Sequence, residues 1–286
     1  MVAFFFISLL LSRIALRPVV EAWERQRRFV ADASHELKTP LTVILANNSL
    51  LLAHPDKTIA EQEQWVNSTQ AEAQRMDKLV HDLLLLAQTD DEETSAAAQA
   101  ASLQPVDLSA LTRRGLLQFE AVFFERGISL TADLAEGITL PGNEEQLERL
   151  IQILLDNASK YAKAPEAEGA AKNSEDVESA AEAESAVAVE GATEVGDGAA
   201  TVHVELLGAP ASGQHATLRV TNSGPAIDPA VLPHLFERFY RVDSAHSDTE
   251  GSGLGLSLAQ AIVKAHHGTI EVSSTPTTGT TFTTTL

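Results

Sequence analysis

No cysteine occurs in the 286-residue chain, which excludes disulfide frameworks and thiolate metal sites and fits a reducing compartment. Basic residues are scarce, with 20 Lys and Arg against 40 Asp and Glu and a formal charge of −20. Proteins that grip a phosphate backbone cluster cations to neutralise it, so no nucleic-acid partner is expected. Much of the charge is local: residues 164–200 carry ten acids and one lysine, leaving about −11 on the remainder. Long hydrophobic runs are also missing. The one candidate, Met1 to Leu11, falls short of the roughly 20 apolar residues that cross a bilayer. It reads as a truncated transmembrane helix, a signal-peptide core or an interfacial anchor. No small-residue cleavage site follows it. Instead Arg13, Arg17, Arg25, Arg27 and Arg28 form the kind of basic flank that lies on the cytoplasmic side of a membrane. A membrane anchor over residues 1–17 is expected, with the remainder in the cytoplasm.

What is present is periodicity. From Val19 to Leu52 a helical pattern is interrupted only by Pro40, and a second runs from Ile59 to Gln88 after the turn His54-Pro55-Asp56. In the second, Met76, Leu79, Val80, Leu83, Leu86 and Ala87 recur at three- and four-residue steps, an apolar stripe on one face. A two-helix hairpin cannot bury such a stripe alone, so the pattern predicts a homodimer whose hairpins form a four-helix bundle. Periodicity fades over residues 88–104, and a linker over 90–104 is expected to separate a helical domain, 18–89, from a second domain, 105–286. There the pattern mixes helices (Asp107–Glu125, Asn143–Ala162, Gly251–His266) with strands near Ile128–Ala132, Val202–Leu207, Thr217–Thr221, Thr269–Ser273 and Thr280–Leu286. An α+β sandwich is the predicted class. Residues 164–200, rich in Ala, Glu, Ser and Gly, bury too little apolar surface to offset chain entropy and read as a disordered acidic insert.

Three stretches carry chemistry. The first is Ser34-His35-Glu36-Leu37-Lys38-Thr39-Pro40. A neutral imidazole is a nucleophile near neutral pH, but a lone histidine on a helix is ordinarily just solvated. The second is Leu155-Asp156-Asn157-Ala158-Ser159-Lys160-Tyr161, by itself an amphipathic helix with a polar end. The third is Gly251-Ser252-Gly253-Leu254-Gly255-Leu256, a weak signal alone; glycines at a helix start let backbone N–H groups approach phosphates.

Taken in order, these stretches resemble the sensor histidine kinases of two-component systems over residues 19–286. His35 to Pro40 match that family's phospho-acceptor box at every position. The resemblance implies a dimerisation and phospho-acceptor hairpin followed by an ATP-binding sandwich of the Bergerat type shared with gyrase- and chaperone-type ATPases. It makes His35 the phosphorylated residue, Glu36 the acid that holds its other ring proton, and Thr39 a water-orienting residue for dephosphorylating a response-regulator partner. The asparagine box implies that Asn157 coordinates Mg²⁺, Lys160 meets phosphates and Tyr161 packs near the nucleotide, here ATP. Val220 to Ile227 resemble the first glycine box, placing Asn222, Gly224, Ala226 and Ile227 at the base, although Asn222 stands where the family has Asp and Ala226 where it has Gly. An amide oxygen still accepts a hydrogen bond but brings no charge, so weaker ATP affinity is expected. Ile153 likewise replaces a frequent Asn. Leu235 to Arg241, with Arg238, match the phenylalanine box. Ser244–Glu250 reads as a lid. Gly251, Gly253, Leu254, Gly255 and Leu256 are expected to line the phosphates, and Thr281 belongs to the terminal hairpin. A regulator-binding scaffold or phosphatase with weak kinase activity is the alternative reading.

Overall fold

A computed structural model describes residues 2–92, 103–164, 199–208, 215–242 and 251–286. The acidic insert expected over 164–200 and the lid expected over Ser244–Glu250 fall, respectively, almost wholly and wholly outside these residues. The chain divides into two compact units, Met1–Leu85 and Leu86–Leu286.

The first unit is a helical hairpin. Helix α1 (Val2–Ala53) is continuous through Pro18 and Pro40. It begins far ahead of the expected Val19, because the apolar N-terminal run contains no residue that opposes helical geometry apart from Pro18. A short 3₁₀ turn (Ala60–Gln62) then leads into α2 (Glu63–Glu92). The helix thus enters the stretch read as linker, since fading apolar periodicity reports lost burial, not lost helix; residues 93–102 lie outside the described residues.

The turn is built by hydrogen bonds that its sequence encodes. Thr58 N–H and Oγ1 donate to Glu61 Oε2 at 2.8 and 2.9 Å, and Glu61 N–H donates to Thr58 Oγ1 at 3.4 Å, a reciprocal capping box. These bonds hold the Glu61 carboxyl below its ordinary pKa. Buried Gln62 donates through Nε2 to the carbonyls of His54 and Lys57 at 3.2 Å each, closing the loop. Farther along, buried Asn47 donates to Ser68 Oγ at 3.0 Å and sets the register of the two helices. Leu41, Leu45, Leu52, Val80 and Leu84 stay exposed on this hairpin.

The second unit is a layer of helices on a mixed sheet. It opens with β1 (Gln104–Asp107), then α3 (Leu108–Glu125), β2 (Ile128–Leu134), β3 (Thr139–Gly142) and α4 (Glu144–Tyr161). There follow β4 (Ala200–Leu207), β5 (Thr217–Asn222), a 3₁₀ turn (Leu232–His234), α5 (Gly255–Ala265), β6 (Thr269–Thr275) and β7 (Gly279–Thr285). The five-stranded sheet has the order β2-β4-β5-β7-β6, with β2 and β4 parallel and the other neighbours antiparallel. A parallel pair needs a long crossover, and α4 lies in that connection. β1 and β3 form a separate antiparallel ribbon in which Pro105 faces Pro141. Pattern reading misses this ribbon, because proline normally argues against a strand except at an edge.

Side-chain caps define the helix starts. Asp107 accepts from Ala110 N–H at 2.9 Å and Asn143 from Gln146 N–H at 3.1 Å, each replacing an intrahelical partner that a first turn lacks. Leu147, Leu150, Leu154 and Leu155 on α4, with Leu258 and Ile262 on α5, are buried together with Val202, Val204, Leu206, Leu218, Val220 and Phe282 of the sheet. Burying each such side chain contributes about 1.5–3 kcal/mol, so this one face supplies most of the unit's driving force. The opposite sheet face is polar, carrying Thr201, His203, Glu205, Thr217, Arg219, Thr221, Thr281 and Thr283. Among the described residues no helix is long and apolar enough to cross a membrane.

Candidate nucleotide and phospho-acceptor sites

In the hairpin, His35 projects from α1 as an exposed side chain, with Glu36 half-buried and Thr39 exposed. Pro40 lacks the N–H that would have bonded Glu36 O. Hydroxyls bond back to carbonyls around this gap: Ser34 Oγ donates to Val30 O at 2.7 Å, Thr39 Oγ1 to His35 O at 3.4 Å and Thr42 Oγ1 to Lys38 O at 2.8 Å. Thr39 stands one helical turn from His35. Among the described residues, Glu36 makes no hydrogen bond to the His35 ring, so the expected proton-holding contact is not formed in this conformation.

In the second unit, the expected nucleotide residues gather around the C-terminal half of α4. Asn157 is half-buried there, next to Asp156 and Lys160, whose side chains pair at 2.9 Å. The Lys160 ammonium, expected on phosphates, is thus engaged within its own helix, at the favourable (i, i+4) spacing. Tyr161 is exposed. Arg126, at the end of α3, donates from Nη1 to Ser159 O at 2.8 Å. That cation meets carbonyls at a helix C-terminus, where the backbone dipole is negative. Nothing in the spacing of Arg126 and Ser159 announces this contact.

The first glycine box joins the end of α4. Gly224 adopts φ +144°, and a Cβ there would lie 3.0 Å from Tyr161 O, so only glycine permits this approach. Ser223 knits the junction: its Oγ donates to Lys163 O at 2.8 Å, its carbonyl accepts from Lys163 N–H at 3.1 Å, and it exchanges hydrogen bonds with Thr201 at 2.8 and 2.9 Å. Asn222, at the end of β5, is only 3 % exposed. Its Nδ2 donates to Ser223 O at 3.1 Å. Ala226 is exposed beside half-buried Ile227, whose N–H donates to Ser274 Oγ at 3.0 Å; that hydroxyl shares a further bond with Thr280 at 2.8 Å.

The terminal hairpin sets two threonines on opposite faces. Thr281 lies on the outer sheet face, where it shares a 3.0 Å hydrogen bond with Thr221. Because side chains alternate along a strand, buried Thr280, paired with Asn222 across β5 and β7, takes the inner position instead.

The second glycine box opens α5. Gly255 packs toward α4, where a Cβ would meet Ile153 Cγ2 at 3.4 Å, and Leu254 is fully buried. Ile153, the residue in place of a polar family position, is thus a core side chain. The first-turn N–H groups of α5 lack intrahelical acceptors, and among the described residues no side chain caps its N-terminus, which leaves donors for an anion. Gly251, Ser252 and Leu256 are half-buried beside them. Gly253 has φ +70°, and its carbonyl accepts from Phe239 N–H at 2.9 Å. The phenylalanine box, with half-buried Arg238, is thereby docked on the glycine box. Phe239 itself has φ +62°, an unusual conformation for a bulky side chain.

This donor set suits a magnesium nucleotide. Asn157 and Asn222 supply neutral amide oxygens, α5 supplies N–H groups, and among the described residues no cluster of three His, Asp or Glu side chains could hold a metal by itself. A hard cation there would share Asn157 with phosphate oxygens and waters.

Comparison with known proteins places this architecture. Residues 25–92 match the family described as the His Kinase A (phospho-acceptor) domain, and residues 142–286 match that of the histidine kinase-, DNA gyrase B- and HSP90-like ATPases. The chain belongs to the sensor histidine kinases. It is 33 % identical over 261 residues to the sensor histidine kinase YkoH of Bacillus subtilis (strain 168), covering 91 % of this chain and 47 % of that protein. It is 29 % identical over 268 residues to the sensor protein DltS of Streptococcus agalactiae serotype V, covering 92 % and 55 %. The chain thus spans about half the length of these curated relatives. The solved structure of the Acinetobacter baumannii histidine kinase AdeS superposes with a TM-score of 0.57 at 19 % identity, over 88 % of this chain and 96 % of that one, a likeness of fold.

Proposed function

We propose that this chain is the catalytic part of a dimeric, membrane-attached two-component kinase that phosphorylates its own His35 with MgATP and passes the phosphoryl group to an aspartate of a response regulator. The observation that carries this reading is the exposed imidazole of His35 in an intact phospho-acceptor box, in a chain whose second unit gathers Asn157, Asn222 and the open N-terminus of α5 around one helix. The lone pair of one ring nitrogen forms the N–P bond, the bond from the γ-phosphorus to its bridging oxygen breaks, and ADP leaves. The other ring nitrogen gives up its proton, with the adjacent Glu36 as the candidate acceptor. Such transfer needs positioning and charge stabilisation more than covalent chemistry from the protein. On this reading Asn157 contributes a magnesium oxygen ligand, Asn222 faces the adenine, and the N–H groups of α5 meet phosphates.

Homodimerisation is supported by the apolar side chains left exposed on a lone hairpin, with Leu45 and Leu84 each 58 % accessible. Membrane attachment is supported by the apolar N-terminal run and its arginine flank. The second reading, a scaffold or phosphatase with weak kinase activity, is favoured by buried Ile153, which brings no polar group to the nucleotide, and by the Lys160–Asp156 pair, which engages the lysine within its own helix. Thr39 is the residue it would use.

Incubation of the full chain with γ-labelled ATP and Mg²⁺ decides between them. We expect an acid-labile, base-stable label that disappears in His35→Gln. Absence of label at saturating ATP would leave the second reading standing.

A further inference from the structure

Asn222 does something that the aspartate of related chains cannot. A carboxamide has a donor end and an acceptor end, and the two are distinguished only by what each faces. Here Nδ2 donates to Ser223 O at 3.1 Å, and among the described residues Oδ1 accepts nothing from the chain although the side chain is 3 % exposed. Turning the amide over would press Oδ1 against the Ser223 carbonyl, acceptor against acceptor.

That carbonyl is itself immobilised. It accepts a second hydrogen bond, from Lys163 N–H at 3.1 Å, so both lone pairs are used. The Ser223 N–H donates to Thr201 O at 2.9 Å, and its hydroxyl donates to Lys163 O and accepts from Thr201 N–H, both at 2.8 Å. Every polar group of Ser223 is tied down, to the chain after α4 on one side and to the start of β4 on the other.

We propose that Ser223 is a positioning residue that locks the Asn222 amide with its oxygen outward, and that this lock makes the nucleotide site select a 6-aminopurine over a 6-oxopurine. This rests on the reading of Asn222 as the base contact. An unlocked amide would serve either base equally, presenting Oδ1 to an exocyclic amino group or Nδ2 to a keto oxygen. A locked one presents only an acceptor, and a keto oxygen there leaves two acceptors facing each other without a proton.

The test measures competition of MgATP and MgGTP against a fluorescent ATP analogue bound to the full chain. The wild type should prefer ATP by about tenfold or more, the usual cost of leaving a buried acceptor unpaired. In Ser223→Gly the preference should fall toward unity because GTP binding improves; a merely structural role would weaken both nucleotides in parallel and leave the ratio unchanged. Ser223→Ala, which deletes only the hydroxyl, should move the ratio in the same direction and serves if the glycine variant does not fold. In an Asn222→Asp background there is no donor end to turn outward, so adding Ser223→Gly should leave the ratio where Asn222→Asp alone sets it. GTP binding within twofold of ATP in the wild type, parallel losses in the Ser223 variants, or an equal fall in the ratio with Asn222→Asp present would each overturn the lock. Failure of the wild type to bind ATP at all would instead overturn the nucleotide site itself.

Discussion

Substituting Gly253 by alanine tests whether the phenylalanine and glycine boxes act as one clamp. The residue sits at φ +70°, and a Cβ would lie 2.7, 2.8 and 3.0 Å from the C, Cα and O atoms of Phe239. Backbone atoms cannot swing aside as a side-chain tip can. A left-handed alanine costs roughly 1–2 kcal/mol. Separating the segments also forfeits the hydrogen bond from Phe239 N–H to Gly253 O, 2.9 Å long and worth about 1 kcal/mol. With residual overlap the total is about 2–4 kcal/mol, a roughly 30- to 1,000-fold loss of nucleotide affinity if binding requires the clamp closed. Isothermal titration with MgATP reads the affinity, and a thermal melt reads the fold. Gly251→Ala is the internal control for the melt, because among the described residues nothing lies within 4 Å of a Cβ there; its melting temperature should match wild type. An affinity for Gly253→Ala within threefold of wild type would refute the reasoning.

Three further outcomes are expected. Thr284 is fully buried on β7, and its hydroxyl has no partner among the described residues, so Thr284→Val should stabilise the second unit by about 1 kcal/mol; a lower denaturation midpoint would show that the hydroxyl has a partner in solution. Arg126→Ala removes the cation over Ser159 O and should weaken ATP binding severalfold by loosening the turn that carries Asn157 and Lys160, a part-buried contact worth about 1 kcal/mol; unchanged affinity would separate Arg126 from the site. The Glu61 carboxyl is held below its ordinary pKa of 4.5 by hydrogen bonds from the Thr58 N–H and hydroxyl. A depressed carboxylate contributes its stability above the unfolded pKa and loses it as pH falls through the folded one. Hairpin stability should therefore drop below pH 4.5, and Glu61→Gln should blunt that step; an identical acid limb in the variant would assign it to other carboxylates.

The sequence conveyed more about elements than about contacts. Helices α3 and α4 were readable to within a residue or two because Asp107 and Asn143 mark their starts and apolar residues recur at helical spacing. The β1–β3 ribbon was not, because each strand has four residues and each carries a proline. Nor was the phase of β7 at its end: the run Thr280-Thr281 offers no polarity difference, and only the pairing of Thr280 with Asn222 shows which hydroxyl faces inward. Asn222 is the instructive case. Read alone it is an aspartate that has lost its charge. In the fold it has gained a donor, and Ser223 O uses it.

By itself, then, the order of residues determined the two kinds of unit, the candidate phospho-acceptor and the candidate nucleotide loops, because periodicity, capping and a six-residue match are local properties of the chain. Tertiary structure decided which of those residues are available: Lys160 held by Asp156, Ile153 spent in the core, Thr281 turned away, Asn222 oriented by its neighbour. The reason is physical. Hydrogen-bond direction and strand facing depend on partners brought from distant parts of the chain, such as Lys163 and Thr201 beside Ser223, and no local pattern records where those partners will stand.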